Sequence, residues 1–394
     1  MSRNNLVLRI PYGTRDFLPA EAANKREIEA ALAKLFINWG YDEVVTPTIE
    51  YLDTLTIGNG RDVEPHMFKF FDKNNLTLAL RHEMTTPIAR VAASRLNDTK
   101  LPLKLSYITN VYRYEQAQTG RQCEFYQAGV ELMGVPNASA DAEVIALAIE
   151  SLKHSGLSNF QISLGQVEFI NGVMEQVQLG EQKQNEIKRA MVTRNLVELG
   201  EIIEQTELNE QAKEILKKIP LLHGKEEMLK EAYFMVCNEK SKQALDNLQE
   251  IYNLLKAYGV ENYVNFDLGV IRDFDYYTGM VFEAYTPGLG FPLCGGGRYD
   301  HMLSDFGNAC PATGFALGIE RIMLALERQG FALSARKKDV YIAWGEGNAL
   351  KAIEEAKKLR DEGKSVELAL RDQSKSQAKE YQLAKGYNKL VYIG

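Results

Sequence analysis

The spacing of apolar residues predicts a helix followed by a short strand at the start of the chain. Between Glu27 and Trp39, apolar residues recur every three or four positions, which places them on one face of a helix. The β-branched run Glu43–Glu50 then predicts a strand. Pro47 within this run limits the strand to a sheet edge, a bulge or an interface.

Two hairpins are predicted next, with helices after each of them. Met67–Phe71 and Leu76–Leu80 flank a turn-rich junction, which is typical of a short hairpin. Leu103–Glu115 and Gln122–Met133 read as two longer strands joined by a polar tip. Further periodic patterns predict helices over Glu83–Leu96 and Asp141–Leu152 and a strand over Phe160–Leu164.

The pattern changes after the strand at residue 164. From Val167 to Tyr258 the chain is rich in Glu, Lys, Gln and Leu and holds a single proline, which predicts an all-helical insert. Strand patterns resume at Tyr263–Leu268 and Met280–Thr286, before the glycine-dense stretch Gly288–Gly297. From Asp339 onward, strand and helix patterns alternate and predict a small parallel βαβαβ unit.

These elements predict an α+β fold. An antiparallel sheet domain with helices is interrupted by the helical insert and followed by a small α/β domain. The predicted boundaries are 1–165 for the first part of the core domain, 166–260 for the insert, 261–333 for the second part of the core and 339–394 for the C-terminal domain.

Composition excludes several classes of protein. The 394 residues include 46 Lys and Arg against 53 Asp and Glu, a net charge of −7, which argues against a general polyanion binder but leaves a local basic groove open. Four scattered cysteines without a Cys-x-x-Cys pair favour neither a zinc ribbon nor a disulfide framework, so a reducing cytoplasm is expected. The N-terminus resembles no signal peptide, and no apolar run is long enough to span a membrane. The five dispersed histidines predict no metal site.

The two longer strands could line a pocket for an amino acid. Arg113 and Glu115 lie two apart on the first strand, as do alternate residues from Gln127 to Glu131 on the second, so each set shares a face. With Glu83, such a pocket offers carboxylates for an ammonium group and a guanidinium for a carboxylate. Ordinary cross-strand ion pairs remain the alternative.

Three further features leave their function open. The hydroxyls of Tyr276 and Tyr277 could bind a polar ring such as imidazole, although paired tyrosines also serve as half-buried packing. The run Gly295–Gly297 allows close approach of a ligand to the backbone but matches neither a P-loop nor a dinucleotide motif. Arg321 near a helix start opposes the helix dipole, which favours a functional or ion-paired arginine; a surface salt bridge is equally open.

Residues 9–330 resemble the catalytic core of histidyl-tRNA synthetases, a class II fold. The matching segments, in the family's order, are Pro11–Pro19, Thr46–Pro47, Leu80–Thr85, Arg113–Glu115, Gly120–Arg121, Arg272–Tyr277, Gly295–Asp300 and Gly314–Arg321.

The resemblance implies roles for individual residues. The positions that correspond to the histidine pocket are Glu83, Thr85, Arg113, Gln127, Glu131, Arg272, Tyr276, Tyr277 and Tyr299. Arg121 and Arg321 correspond to positions that hold ATP, and Thr46–Pro47 corresponds to the motif 1 strand through which class II proteins form homodimers. No cofactor is implied.

Within this fold, the chain is more similar to the regulatory subunits of ATP phosphoribosyltransferase than to the synthetases. Gly120–Gly129, Ser163–Phe169 and Ala284–Gly290 resemble the regulatory versions of these segments, and the Asn-Pro-Leu-Arg-like stretch usual in synthetases does not occur before Val264. The tail from Asp339 resembles the start of an anticodon-binding domain but stops before its last strand and helix. Ten Lys and Arg against nine Asp and Glu in that tail argue against tRNA as a partner.

The expected function is therefore that of a non-catalytic cytoplasmic regulatory subunit in the first step of histidine biosynthesis. The resemblance implies that it activates a short catalytic ATP phosphoribosyltransferase chain, in a hetero-oligomer expected to be a hetero-octamer, and mediates feedback inhibition by L-histidine. The alternative is an active histidyl-tRNA synthetase with a shortened C-terminal domain, because Arg113, Arg121, Arg272 and Arg321 are all present. A histidine-binding module without a partner is a third possibility.

Overall fold

The computed structural model describes residues 8–58, 61–114, 122–269, 276–331 and 338–394. Two compact units divide this part of the chain. Residues 8–17 and 25–331 form the larger unit, while 18–24 and 338–394 form the smaller one. The domain boundaries given above stay predictions.

Runs of helices and runs of strands follow one another along the chain. The helices are α1 (Pro19–Asn38), α2 (Leu52–Leu55), α3 (Thr85–Arg95), α4 (Ala138–His154), α5 (Val167–Val177), α6 (Glu181–Val192), α7 (Leu196–Glu204), α8 (Glu210–Lys218), α9 (Glu226–Met235), α10 (Glu239–Tyr258), α11 (Ile319–Arg328), α12 (Ala349–Asp361) and α13 (Lys375–Lys385). The strands are β1 (Asp42–Glu43), β2 (Ile49–Tyr51), β3 (Lys69–Phe71), β4 (Thr77–Leu80), β5 (Leu103–Tyr112), β6 (Glu124–Met133), β7 (Gln161–Gln166), β8 (His223–Gly224), β9 (Val264–Asp267), β10 (Met280–Tyr285), β11 (Cys294–Arg298), β12 (Ala312–Gly318), β13 (Val340–Trp344), β14 (Val366–Leu368) and β15 (Lys389–Ile393).

A nine-stranded sheet forms the centre of the larger unit. Its order is β1-β5-β6-β12-β11-β10-β7-β9-β8. The six strands from β5 to β7 pair antiparallel, as predicted, whereas β1 pairs parallel with β5 and β9 pairs parallel with β7. The long connection through the helical insert allows β9 to return in the same direction as β7. The predicted α+β, class II synthetase-like fold is confirmed, with a sheet that is mixed at its edges.

The prediction of one strand over Glu43–Glu50 is wrong. Two short strands, β1 and β2, flank residues 44–48, and β2 pairs with the β3–β4 hairpin in a separate three-stranded sheet. The buried guanidinium of Arg81 explains the interruption. It donates to the carbonyl oxygens of Thr46 and Pro47, at 2.9 and 3.2 Å, so those groups bond to a side chain rather than to a neighbouring strand.

The insert is helical from α5 to α10, interrupted by a 3-10 turn and the two-residue strand β8. Helix α10 packs against α5 and α4. At the α5–α10 contact, the hydroxyl of Ser241 donates to the carbonyl of Phe169 at 2.8 Å. The predicted helical character is correct for most of this region, but the region is not all-helical, because β8 pairs with β9 at the edge of the central sheet.

The core of the larger unit lies between the sheet and its helices. Helix α4 contributes a run of fully buried apolar residues because its sequence is Ala/Ile/Leu-rich, and its side chains join those of β7 and β10 in one cluster. No helix in the described ranges is both long and apolar enough to cross a lipid bilayer.

The smaller unit contains the predicted βαβαβ arrangement. Its sheet has the order β14-β13-β15, and both pairings are parallel. Alternate residues of β13 point to opposite faces. Ile342 packs with α12 residues on one face and Tyr341 packs with α13 residues on the other.

We predict that Gly296→Ala destabilises the larger unit. A Cβ atom at this position in β11 would contact the carbonyl oxygen of Gly314 and lie 2.7 Å from Cβ of Phe315, so the sheet itself would have to shift. We expect a loss of about 2 kcal/mol in the free energy of unfolding, measured by urea denaturation.

Gly200→Ala in α7 is the matched control, because a Cβ there meets nothing within 4 Å. It should leave stability unchanged or raise it slightly, since alanine is the better helix former. Equal midpoints for the two variants would contradict the packing argument.

Candidate functional site

Gly297 and Gly314 leave an open surface, the glycine floor, on one face of the central sheet. The strand register aligns Glu131 of β6 with Gly314 of β12, and Gly314 with Gly297 of β11. A Cβ at Gly314 would collide with the carboxylate of Glu131, and one at Gly297 would lie 2.7 Å from the ring of Tyr277. The two glycines therefore leave the space that the Glu131 and Tyr277 side chains occupy.

Glu131 is the most buried charged group of this site, with 1% of its surface exposed. One carboxylate oxygen accepts a hydrogen bond from the hydroxyl of Thr85 at 2.9 Å, and the other accepts from the hydroxyl of Tyr299. Burial, together with the nearby charge of Glu83, raises the pKa of Glu131 to about 8, against the effect of these two donors. The carboxylate therefore holds a proton readily near neutral pH.

Glu83 lies two residues before the first residue of α3 and binds the start of that helix. Its carboxylate accepts from the backbone N–H groups of Thr85 and Thr86, at 2.5 and 2.9 Å, where the helix dipole favours negative charge. Thr85 therefore joins both carboxylates: its backbone N–H binds Glu83 and its hydroxyl binds Glu131.

Three tyrosines form an aromatic wall beside these carboxylates. The ring centroids of Tyr276 and Tyr277 are 4.7 Å apart, and Tyr276 meets Tyr299 edge to face at 5.8 Å. Tyr276 and Tyr299 are buried, with 9% and 2% exposure. The wall is apolar except for its hydroxyl groups, which suits a flat, polar ring.

Arg113 and Gln127 lie farther along the same face. The Nε atom of Arg113 donates to the carbonyl of His82 at 3.1 Å, and its guanidinium lies 5.3 Å from the ring centroid of Phe125. Burial lowers the pKa of His82 to about 4, so this imidazole stays neutral beside the site. The side-chain oxygen of Gln127 is buried and accepts no hydrogen bond from any residue in the described ranges.

Arg321 lies beyond Gln127 on this face. The register pairs Gln127 with Gly318, and a Cβ at Gly318 would lie 3.0 Å from the Arg321 side chain. Arg321 donates to the carbonyl of Pro292 at 2.6 Å and stacks at 5.0 Å over the ring of Phe291. Arg121, Arg272 and Glu115 lie outside the described residues.

The sequence did not identify the buried ion pair between Arg298 and Asp141. The Nη2 atom of Arg298 lies 2.9 Å from Oδ1 of Asp141 at the start of α4, and Nη1 donates to Asp300 at 3.1 Å. The backbone N–H of Thr278 donates to the Arg298 carbonyl at 2.8 Å. This network fixes the backbone next to Tyr299, and only the folded structure reveals that Asp141 is its partner.

Tyr107 of β5 is a second residue that the sequence did not single out. It pairs with Gly129, where a Cβ would collide with the Tyr107 hydroxyl. Burial, and then the charge of Glu131, raises the pKa of Tyr107 well above its ordinary value, so the phenol stays neutral. Alternation along the predicted strand Leu103–Glu115 places Tyr107 on the same face as Arg113, which is the sequence signal that could have identified it.

The geometry suits a small ligand that carries an ammonium group and a polar ring. Two carboxylates, linked by the Thr85 and Tyr299 hydroxyls, lie beside an aromatic wall, and the Gln127 amide oxygen lies farther along the same face. No group of three or more His, Cys, Asp or Glu side chains able to hold a metal ion occurs within the described ranges.

Comparison with known proteins finds a family model and close relatives. The histidyl-tRNA synthetase model matches residues 13–322. The chain is 42% identical to an ATP phosphoribosyltransferase regulatory subunit from Moorella thermoacetica, over 99% of both chains. It is 44% identical to another protein of that description from Halothermothrix orenii, over 91% of this chain and 86% of the relative.

Solved structures agree with these relatives. A protein from Bacillus halodurans, described as an ATP phosphoribosyltransferase regulatory subunit/histidyl-tRNA synthetase, superposes with a TM-score of 0.89 at 36% identity and covers 98% of both chains. A histidyl-tRNA synthetase from a Nostoc species superposes with a TM-score of 0.84 at 19% identity, over 98% of this chain and 91% of the other, and shows the shared fold alone.

We predict that Glu131→Gln removes a pH dependence of stability. Because folding raises the pKa of this carboxyl group from 4.5 to about 8, the folded chain keeps a proton that the unfolded chain has lost. The free energy of unfolding of the wild-type chain should therefore fall as pH rises from 4.5 to about 8, by an amount on the order of a few kcal/mol.

Glutamine does not titrate, so the variant should lack this component of the decline. Urea denaturation of both chains across that pH range measures the difference. An identical decline in the two chains would assign the pH dependence to other groups.

Proposed function

The chain belongs to the family of ATP phosphoribosyltransferase regulatory subunits, and from this membership we propose that it activates a separate catalytic ATP phosphoribosyltransferase subunit and conveys inhibition by L-histidine. The names of the relatives support a regulatory rather than a catalytic role. They also imply a catalytic partner, which we propose to be the short-form enzyme in a hetero-octamer of the first step of histidine biosynthesis.

The observation that carries the histidine proposal is the pair of carboxylates joined by Thr85. We propose that Glu83 and Glu131 bind the ammonium group of L-histidine, because Thr85 bonds to both carboxylates and neither forms an ion pair with a Lys or Arg among the described residues. Arg113 and the amide of Gln127 are proposed to bind the remaining polar groups, with Arg272 as a further candidate.

The aromatic wall provides the imidazole side of the proposed pocket. Tyr277 and Tyr299 present hydroxyl groups at the edge of an apolar surface, and Tyr276 packs between them. An imidazole ring could stack on this wall and reach a hydroxyl group. Tyr299 already donates to Glu131, so a ring bound against Tyr299 would change the hydrogen bond to this carboxylate.

The proposed regulation is a linkage effect. If L-histidine binds the less active arrangement of the complex better than the active one, it shifts the population toward the less active arrangement. The shift is limited by the difference between the two affinities, on the order of 1–3 kcal/mol for typical couplings.

An active histidyl-tRNA synthetase is the second candidate, because the synthetase family model matches most of the chain. Arg113 and Arg321 are both present on the site face, although each donates to a backbone carbonyl in this structure. Histidine-dependent exchange between ATP and pyrophosphate distinguishes the two candidates, since only the synthetase would catalyse it.

We predict that the chain activates phosphoribosyl transfer by a short catalytic subunit and that L-histidine reverses the activation. Glu131→Gln should weaken this inhibition about 10- to 100-fold, because it removes the negative charge from a charge-assisted contact. Initial rates with and without the chain, across a histidine titration, test both statements.

Glu143→Gln is the control for that assay. Glu143 is a partly buried carboxylate that accepts from Tyr41 and pairs with Lys104, and it belongs to none of the contacts of the proposed pocket. This variant should be inhibited like the wild type. Unchanged inhibition of Glu131→Gln would move the histidine site elsewhere, and no activation by the wild type would favour the synthetase.

We also propose that the chain forms a homodimer through its three-stranded sheet. The outer face of β2-β4-β3 carries Ile49, Tyr51 and Phe70, all exposed, and Leu78 pairs with both Tyr51 and Phe70. This apolar face adjoins residues 46–47, where the resemblance places the class II dimer strand. A second copy of the chain is therefore the proposed occupant.

We predict that the double variant Tyr51→Lys with Phe70→Glu is monomeric, because charges would then stand on the proposed interface. Multi-angle light scattering on the purified chains measures the mass. Phe234→Lys is the control, since Phe234 is an exposed aromatic residue on the helical insert, and it should stay dimeric. A dimeric double variant would rule out this face.

A further inference from the structure

A tight turn at residues 11–14 precedes the first helix. The backbone N–H and the hydroxyl of Thr14 both donate to the carbonyl of Pro11, at 3.3 and 2.8 Å. Gly13, inside the turn, has a φ of 72°, in the left-handed region that residues with a side chain rarely adopt. The shape of the turn therefore depends on glycine at this position.

The carbonyl oxygen of Gly13 binds the chain where β6 begins. It accepts from the backbone N–H groups of Cys123 and Glu124, at 2.7 and 3.2 Å. A Cβ at Gly13 would lie 2.7 Å from the backbone nitrogen of Cys123 and would collide with its Sγ atom. Four residues later, Phe17 meets Tyr126 of β6 edge to face, with the ring centroids 6.2 Å apart. Residues 11–17, here named the N-terminal clasp, therefore hold β6 at two points.

The N-terminal clasp is connected to Arg113 through a single residue. The backbone N–H of Arg113 donates to the carbonyl of Cys123 at 2.8 Å, and the N–H of Cys123 donates to Gly13. The guanidinium of Arg113 lies 5.3 Å from the ring centroid of Phe125, two residues after Cys123. Two backbone hydrogen bonds and one ring contact therefore join the clasp to this guanidinium.

The clasp acts at the point where the two strands of the hairpin separate. The paired register of β5 and β6 ends at Tyr112 and Glu124. Two residues after Tyr112, the backbone N–H of Tyr114 donates to the carbonyl of His66 rather than to the opposite strand. Arg113 lies between these two regimes, so the ladder of the hairpin alone does not fix its position.

We propose that Gly13 is a positioning residue: through Cys123, the N-terminal clasp places the Arg113 guanidinium and thereby sets the affinity of the pocket for the carboxylate of L-histidine. The inference rests on the proposed function, in which Arg113 binds a polar group of the ligand. A guanidinium binds a carboxylate through two parallel hydrogen bonds, so this contact is sensitive to small displacements. Gly13 acts through Cys123 and lies outside the contacts of the proposed pocket.

Calorimetric titration of two ligands into the full chain tests this role. L-Histidine carries the carboxylate, whereas histamine has the same ammonium group and imidazole ring without it. Gly13→Ala should bind L-histidine about five- to tenfold more weakly than the wild type, because the new Cβ displaces Cys123 and Arg113 with it. Its affinity for histamine should equal that of the wild type, since the carboxylates and tyrosines stay in place.

Gly40→Ala is the matched control. Gly40 has a φ of 80°, so alanine introduces a similar backbone strain there, but its Cβ would meet nothing within 4 Å. Both variants should melt at a lower temperature than the wild type. Only Gly13→Ala should lose affinity for L-histidine.

Thr14→Val is a milder variant that keeps the proposal testable if Gly13→Ala does not fold. It removes the hydroxyl that closes the turn and keeps the shape of the side chain. L-Histidine should bind about two- to threefold more weakly to it. Thr14→Ser keeps the hydroxyl and should bind L-histidine as the wild type does.

A double-mutant cycle with Arg113→Lys identifies the route of the effect without histamine. If Gly13 acts through Arg113, the losses of L-histidine affinity in Gly13→Ala and Arg113→Lys should be less than additive in the double variant. Full additivity would contradict a route through Arg113.

The remaining failures are distinguishable. If Gly13→Ala and Thr14→Val bind L-histidine as well as the wild type does, the positioning role is wrong. If Gly13→Ala loses histamine affinity by the same factor, or if Gly40→Ala loses as much L-histidine affinity, the effect is a general loss of structure and the proposal is also wrong. If the wild type itself binds no L-histidine, the proposed function fails and this inference fails with it.

Discussion

The carboxylate of Glu131 is the constraint on which the candidate site depends, because the sheet buries it where water cannot solvate its charge. Gly314 and Gly297 provide the space that Glu131 and Tyr277 occupy. Thr85 and Tyr299 donate hydrogen bonds to the Glu131 carboxylate, and the contact with Thr85 ties the start of α3 to it. A change in any of these partners would leave a buried polar group without its hydrogen bond, which is costly.

Two buried arginines hold the surroundings of this carboxylate in place by binding backbone oxygens. Arg81 satisfies carbonyl groups between β1 and β2, where the chain leaves the sheet, and Arg298 joins the start of α4 to the end of β11. Both residues occur within the motifs that suggested the family, but in this structure their side chains hydrogen-bond to backbone carbonyl groups. The groups proposed to bind the ligand lie close to them in sequence, at Glu83 and Tyr299.

Most of the fold could be predicted because its helices and long strands have clear periodicity. The β5–β6 hairpin, the helical insert and the C-terminal βαβαβ unit all follow from local pattern. The break between β1 and β2 could not, since it depends on Arg81, which is distant in sequence. The candidate site also has parts that local pattern predicts and parts that depend on residues distant in sequence. Alternation along β6 placed Gln127 and Glu131 on one face, whereas the Arg298–Asp141 pair joins residues 157 positions apart.

The pKa of Glu131 near 8 also has a consequence for any positively charged ligand that binds beside it. With no cation beside it this group holds a proton at neutral pH, whereas an adjacent ammonium ion favours the ionised carboxylate. Binding of such a ligand would then release a proton into the surrounding water. Hydrogen ions would compete with it for the same carboxylate, so acidification would weaken its binding.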